Sequence, residues 1–297
     1  MTSTAHSAVL RFRGSDPEAM IGLPAGRHTN PTTLTTLLGG IVLMVAVVGA
    51  GFVFRRPEDP SSVGEHVWRM LVGYQGIAPL MVFLACWSLA FLAVKGLKIR
   101  SQRRALALQV IPRDPGFVLT QATAIRVVQA IDSSVEGAAR FLYLKRILRS
   151  LRSMRNVGRV ADVDDMLEVA ANTDQSIMES GYTMLRGFMW AIPVLGFIGT
   201  VVGLTESMGK FGAILGKAAD ESGGGGMDPQ AMASQLGAAL GGLNTAFVTT
   251  GEALVVVLLI HIVQIFVREA DERLLDDARE EAHSQIGGRV RLQDGVG

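Results

Sequence analysis

The sequence contains almost no cysteine and none of the short motifs that carry the common enzyme chemistries. Cys86 is the single cysteine of the chain, so an internal disulfide is excluded. Paired Cys/His clusters of the zinc-binding type, the Walker A loop, the nucleophile elbow and the dinucleotide fingerprint are all missing from the sequence. We therefore expect a protein that is not an enzyme and that holds no metal ion and no cofactor.

Apolar residues are what the sequence has in excess. Hydrophobic residues make up 49% of the 297 positions, and the mean hydropathy is +0.34. A soluble domain of this length does not need so much apolar surface. The composition therefore indicates a membrane protein.

Four apolar runs are each long enough to cross a bilayer as a helix. They cover about residues 34–54, 77–94, 187–205 and 241–267. The first run begins too far from Met1, and is too long, to be the apolar part of a cleaved signal peptide. The sequence therefore predicts an all-α polytopic membrane protein with four transmembrane helices.

The polar segments complete a predicted organisation into five regions. These are a cytoplasmic N-terminal tail (1–33), the first two transmembrane helices with a short outer loop (34–95), a helical cytoplasmic segment (96–185), the third and fourth transmembrane helices (186–267) and a cytoplasmic C-terminal tail (268–297). Asp228 and Pro229 have the residue types of an N-cap and a first helical position. A helix starting there is expected to continue unbroken through the fourth span, so that long helices extend into the cytoplasm.

Basic residues set the predicted orientation. They follow the second apolar run at Lys95, Lys98, Arg100, Arg103 and Arg104. Because loops rich in Lys and Arg stay in the cytoplasm, both termini and the 96–185 segment are predicted to be cytoplasmic. Arg55 and Arg56 lie on the opposite side and are exceptions to this pattern.

A second basic stretch, residues 140–159, has two interpretations. It is a solvated helix face, or it is a docking surface for a cytoplasmic target. Nucleic acid is not expected as a partner, because the stretch has no interleaved aromatic residues and no recognisable binding module.

The third apolar run carries a row of small residues. Gly196, Gly199 and Gly203 recur at helical spacing and allow close approach of a neighbouring helix. Pro193 lies in the same run, where a kink is tolerated if neighbouring helices compensate for it. These four residues are predicted to serve helix packing.

Polar side chains at membrane depth are the candidate functional residues. Thr200, Thr245, Thr249 and Thr250 each either bond their own backbone or offer a hydroxyl to water or an ion. Glu252 is a functional candidate by its depth alone, and a structural acid is the alternative. Helical spacing places Thr249 and Glu252 on one face and Thr250 nearly opposite.

Two stretches resemble the MotA/TolQ/ExbB proton channel family. Residues 192–204 resemble its pattern of Pro followed by Gly-x-x-Gly-Thr-x-x-Gly, and residues 241–250 resemble Gly-Leu-x-Thr-Ala-Phe-x-Thr-Ser/Thr. The four-span layout is more similar to MotA than to the three-span TolQ and ExbB. ExbB-type members have a glutamate at the position of Thr245, whereas this chain has its acid at Glu252.

The resemblance implies a channel-forming stator subunit of a motor complex driven by H⁺ or Na⁺ in the bacterial inner (cytoplasmic) membrane. It further implies a homopentamer around two copies of a single-span partner similar to MotB, TolR or ExbD. An intramembrane aspartate of that partner would carry the ion. Thr200 and Thr250 would line the path, with Thr249, Thr245 and Glu252 as further members.

Two other functions remain open from the sequence. A structural membrane scaffold would need the glycines but not the threonines. A small secondary transporter would typically show internal repeats, and none is visible. The sequence does not decide between H⁺ and Na⁺, or which process is driven: swimming, gliding, outer-membrane energisation or defence.

Overall fold

The computed structural model describes residues 18, 22, 26–54, 65, 68, 76–107, 111, 119–135, 138–153, 160–220 and 229–286, and most of these residues are helical. The α-helices within these residues are α1 (Thr33–Phe54), α2 (Ile77–Leu106), α3 (Gln121–Ser134), α4 (Leu142–Ser153), α5 (Val160–Gly181), α6 (Thr183–Asp220) and α7 (Pro229–Ile286), with a short 3₁₀ helix at Ala138–Arg140.

Four helical stretches are long and apolar enough to cross a membrane. They are Thr33–Val53, Ile77–Leu106, Asp164–Ile214 and Leu240–Ile286. The prediction of an all-α polytopic membrane protein with four membrane helices is therefore confirmed.

The two helices after the cytoplasmic segment of the sequence are very long. Helix α7 runs for 58 residues from Pro229 without interruption, which confirms the prediction of one continuous helix through the fourth span. Asp228, its predicted N-cap, lies outside the described residues. Helix α6 continues through Pro193. Helix α2 also continues past Lys95, so the basic residues after the second span belong to the same helix.

Contacts divide the chain into two compact units. Unit 1 contains residues 1–36, 92–183 and 265–297, and unit 2 contains residues 37–91 and 184–264.

Unit 2 holds the most apolar parts of α1, α2, α6 and α7. Helices α1 and α2 approach closely, since a Cβ on Gly40 would lie 2.8 Å from the Cα of Trp87. The Trp87 ring also meets the Phe188 ring at 4.7 Å, which joins α2 to α6. Unit 2 is thus held by close helix contacts and an aromatic pair.

Unit 1 is built around the amphipathic helix α4. Its Leu144 and Ile147 are completely buried in a core that also contains residues of α3, α5 and the end of α7. Gln102 of α2 fixes the start of α4, because its Oε1 accepts from the Leu142 N–H at 3.0 Å and its Nε2 donates to the Arg140 carbonyl at 3.2 Å. Apolar burial and these two hydrogen bonds together set the position of α4.

Two lysines of α2 are buried in unit 1, although the sequence marked them only as basic residues next to a membrane span. Lys95 Nζ lies 2.8 Å from the Asp271 carboxylate, and both side chains are fully buried. Lys98 Nζ lies 2.6 Å from Glu18, also out of contact with solvent. Burying a charge is costly unless it is paired and hydrogen-bonded, so these pairs tie α7 and the N-terminal segment to α2.

Candidate functional site: a hydroxyl pair between α6 and α7

The glycines of α6 lie directly against α7 within unit 2. A Cβ on Gly196 would lie 2.6 Å from the Ala253 Cβ, and one on Gly203 would lie 2.8 Å from the Gly242 carbonyl oxygen. A Cβ on Gly199 would lie 2.9 Å from the Thr249 hydroxyl oxygen. A larger residue at Gly196 or Gly203 would require the helices to move apart, and one at Gly199 would require the Thr249 side chain to shift. The row of glycines therefore brings the two backbones together.

Small residues of α7 contact this row of glycines, and the sequence had not indicated these residues for packing. Gly242, Ala246 and Ala253 meet Gly203 and Gly196. Residues 242, 246, 249 and 253 recur at helical spacing in the sequence. That periodicity was the available signal, and it would have assigned the partner face of the glycine row.

Close approach places two threonine hydroxyls in contact. The side-chain oxygens of Thr200 on α6 and Thr250 on α7 form a hydrogen bond with each other. Thr200 also lies 3.0 Å from the Ala246 carbonyl, and Thr250 lies 3.1 Å from the Gly196 carbonyl on the opposite helix. We call Thr200 and Thr250 the hydroxyl pair.

Each member of the hydroxyl pair has more acceptors within reach than it has protons. Thr200 Oγ1 is 3.3 Å from the Gly196 carbonyl, and Thr250 Oγ1 is 3.3 Å from the Ala246 carbonyl, each within its own helix. A hydroxyl donates one hydrogen bond and accepts two. The donor direction can therefore alternate between the two threonines, and lone pairs remain to accept a proton donor or coordinate a cation.

Thr249 has a different environment from the hydroxyl pair. Its side chain is 1% exposed, contacts the position of Gly199, and donates to the Ala246 carbonyl in its own helix at 3.0 Å. Thr200 and Thr250, by contrast, are only partly buried. Thr249 therefore has a packing environment, whereas the hydroxyl pair lies where other groups can reach it.

The two other predicted site residues also lie on α7. Thr245 is part of the helix, but its side chain lies outside the described residues. Glu252 is partly buried and follows Thr250 by two positions, about 200° around the helix. In the part of the chain that the structure describes, no group of three His, Cys, Asp or Glu side chains is placed to hold a metal ion.

These observations define a class of protein: an all-α, multi-pass membrane protein with a polar contact between two of its membrane helices. In the sequence comparison, residues 142–280 match the MotA/TolQ/ExbB proton channel family. This match covers slightly less than half of the chain and confirms the predicted resemblance to that family. The matched region contains α4 and the hydroxyl pair, whereas α1 and α2 lie outside it. No curated protein and no solved structure matched the chain.

Proposed function

We propose that the chain is the channel-forming stator subunit of a motor complex that converts ion flow, of H⁺ or Na⁺, into mechanical work. The observation that supports this most directly is the hydroxyl pair, which brings four oxygen atoms together between α6 and α7. Polar groups at membrane depth are costly and usually functional. The match to a proton channel family supports a role for this polar contact as part of an ion path.

The driving energy is sufficient for mechanical work. Moving one elementary charge across 100 mV releases about 2.3 kcal/mol, so several ions per cycle deliver a usable amount. In this proposal an aspartate of the partner is alternately charged and neutralised. The hydroxyl pair would replace part of the water shell of the ion beside it.

Assembly of several copies is part of the proposal. Thr200 and Thr250 lie in a contact between two helices, and two helices alone do not enclose a path. Further copies of the chain, arranged as a pentamer around a dimer of a single-span partner, would supply the remaining walls. The support for this stoichiometry is the match of residues 142–280 to the MotA/TolQ/ExbB family.

The proposed complex lies in the bacterial inner membrane with both termini in the cytoplasm. A cytoplasmic target is proposed for residues 140–159, where Arg140, Lys145 and Arg149 are exposed. Arg146 does not contribute to such a surface, since it is buried and lies 2.8 Å from Asp174.

The test is ion flux through proteoliposomes that contain the complex purified with its partner from native membranes. Thr250→Val keeps the side-chain shape and removes the hydroxyl, so flux should fall roughly tenfold or more while the complex still assembles. Thr205→Val is the matched control, because the exposed Thr205 hydroxyl donates within α6, to the Val201 carbonyl at 2.8 Å.

Each outcome of this test has a defined meaning. Loss of flux in the Thr250 variant alone supports the proposal. Undiminished flux in that variant would remove the hydroxyl pair from the path. Absence of any flux in the unmodified complex, or of any single-span partner with a membrane aspartate, would favour the scaffold.

A further inference from the structure

Polar contacts hold residues 26–32 against the rest of unit 1. We call these residues the N-terminal clasp. Glu18 accepts from the Gly26 and Thr32 backbone N–H groups, each at 2.6 Å. Asn30 accepts from Lys95 at 2.7 Å and donates to the Ile177 carbonyl at 2.6 Å. The clasp is therefore attached to α2 and α5 at defined points.

The fit of the clasp on α5 is tight. A side chain at Gly181 would overlap the carboxamide of Asn30. Lys98, buried against Glu18, also donates to the Asn30 carbonyl at 3.2 Å. Docking of the clasp therefore depends on a small number of contacts, and all of them require the clasp to be in the same position.

His28 lies in the middle of the clasp and has an unusual backbone conformation and a buried side chain. Its φ of 52° lies in the left-handed region, which is uncommon for a residue other than glycine. The residue is only 8% exposed. Its Nε2 lies 3.4 Å from Lys145 Nζ and 3.6 Å from an Asp174 carboxylate oxygen.

The groups around His28 favour its neutral form. Lysine has only donors, so Nε2 accepts from Lys145 and carries no proton in this arrangement. Lys145 and Arg146 face the ring from α4, Arg27 adjoins it in the clasp, and Asp174 of α5 is the acid described beside it. Arg146 already lies 2.8 Å from that carboxylate, which leaves Asp174 a shared counter-ion.

We propose that His28 is a pH-sensitive latch, which keeps the N-terminal clasp docked while the imidazole is neutral and releases the clasp when it is protonated. A proton on Nε2 would face the Lys145 ammonium and end the hydrogen bond between them. Release would move the imidazolium into water and away from three cations. The latch is a property of unit 1 and does not depend on ion conduction by the membrane helices.

The direction of the pH response follows from the same contacts. Burial lowers the pKa of His28 below its ordinary value, Asp174 opposes this, and Lys145, Arg146 and Arg27 reinforce it. The released clasp would have an ordinary imidazole pKa of about 6.5. The contribution of neutral His28 to docking is therefore fully present above about pH 6.5 and is lost progressively as the pH falls below that value.

Glu18 does not produce the same response in this range. Burial alone would raise its pKa, but the hydrogen bonds from Lys98, Gly26 and Thr32 outweigh burial and hold the pKa below its usual value. Glu18 therefore stays ionised through the pH range in which His28 titrates.

Hydrogen exchange of the clasp amides in the purified full-length protein tests the latch. Exchange at pH 7.5 and pH 5.5 is expressed as protection factors, which remove the intrinsic pH dependence of exchange. In the unmodified chain, protection of residues 26–32 should fall by up to about tenfold at the lower pH, one unit below the pKa of the free imidazole.

His28→Asn should abolish this fall, because asparagine does not titrate and tolerates the left-handed backbone. The control His283→Asn should leave the fall unchanged, since His283 is an exposed histidine of α7 that lies beside Asp164 of α5. A fall in His28→Asn as large as in the unmodified chain overturns the proposal.

A second variant keeps the test decisive if His28→Asn prevents docking altogether. Lys145→Met removes an exposed cation next to Nε2, which makes protonation of the docked ring less costly. The fall in protection should then shrink by twofold or more relative to the unmodified chain, an estimate based on losing one of three nearby cations. An unchanged fall in Lys145→Met overturns the latch.

Discussion

Replacing Asp271 with asparagine should destabilise the protein, because it removes the counter-ion of a lysine that has no contact with solvent. Lys95 and Asp271 are both fully buried and lie 2.8 Å apart. Breaking a buried pair by removing one partner typically costs about 3–5 kcal/mol, since the remaining charge stays buried without compensation. Asparagine has nearly the shape of aspartate, so the change tests charge and not volume.

The surroundings of Lys95 place the expected cost at the lower end of that range. Its ammonium group would still donate to the Asn30 side chain at 2.7 Å and would still lie 4.4 Å from the centre of the Tyr182 ring. We therefore expect a loss of about 3 kcal/mol, which corresponds to a fall in Tm on the order of 6 °C or more. Thermal unfolding followed by circular dichroism in detergent measures this shift.

A second substitution separates the ion pair from other effects. Lys95→Met combined with Asp271→Asn removes both charges, so the double variant should recover more than half of the lost Tm. The control is Glu269→Gln, which breaks the exposed 2.5 Å pair with Arg273 and should change Tm by about 1 °C or less. A Tm change in Asp271→Asn no larger than in this control, or a double variant as unstable as Asp271→Asn, would refute the stabilising role of the ion pair.

Further predictions concern the membrane helices. Gly203→Ala would place a Cβ 2.8 Å from the Gly242 carbonyl oxygen, so it should lower both Tm and ion flux. In the same helix, a Cβ at Gly209 would have no atom within 4 Å, so Gly209→Ala should lower neither. Glu252→Gln should reduce flux only partly, and less than Thr250→Val does, because Glu252 lies about 200° around α7 from Thr250. Flux as low as in Thr250→Val would place Glu252 in the ion path itself. Native mass spectrometry should show a pentamer as the main species, and a stable monomer or dimer would contradict the proposed assembly.

Local patterns in the sequence were sufficient to predict the membrane helices and their packing face. Apolar runs define the spans through their length, and Pro229 followed by an unbroken helical pattern led to one continuous helix, which α7 confirms. Small residues at helical spacing predicted a packing face on α6. The sequence could not say which helix that face meets, because the choice depends on contacts between segments far apart in the chain.

The hydroxyl pair was predictable only in part. Thr200 and Thr250 were both candidates, but helical spacing alone placed Thr249 and Thr250 on different faces and did not show that both contact α6. Because the helices approach so closely at Gly196, α6 reaches both threonines. Distances of this kind arise from packing and are not encoded in the periodicity of one helix.

The buried ion pairs were not predictable from the sequence. A lysine next to a membrane span normally faces water, and nothing in the local sequence of Lys95 or Lys98 marks either as buried. Their partners, Asp271 and Glu18, lie far away along the chain and look like ordinary charged residues of the two tails. Only the fold brings them together, which is also why the role of His28 in the N-terminal clasp became visible with the structure.

The most direct test of the account is the ion flux of reconstituted complexes that carry paired changes at Thr200 and Thr250. Thr200→Ser and Thr250→Ser retain the hydroxyls and should keep most of the flux, whereas Thr200→Val and Thr250→Val should each reduce it roughly tenfold or more. Because the two hydroxyls share their acceptors, the double valine variant should be little worse than either single one. Flux that survives in the double valine variant at the level of the unmodified complex would contradict the proposal that the hydroxyl pair forms part of the ion path.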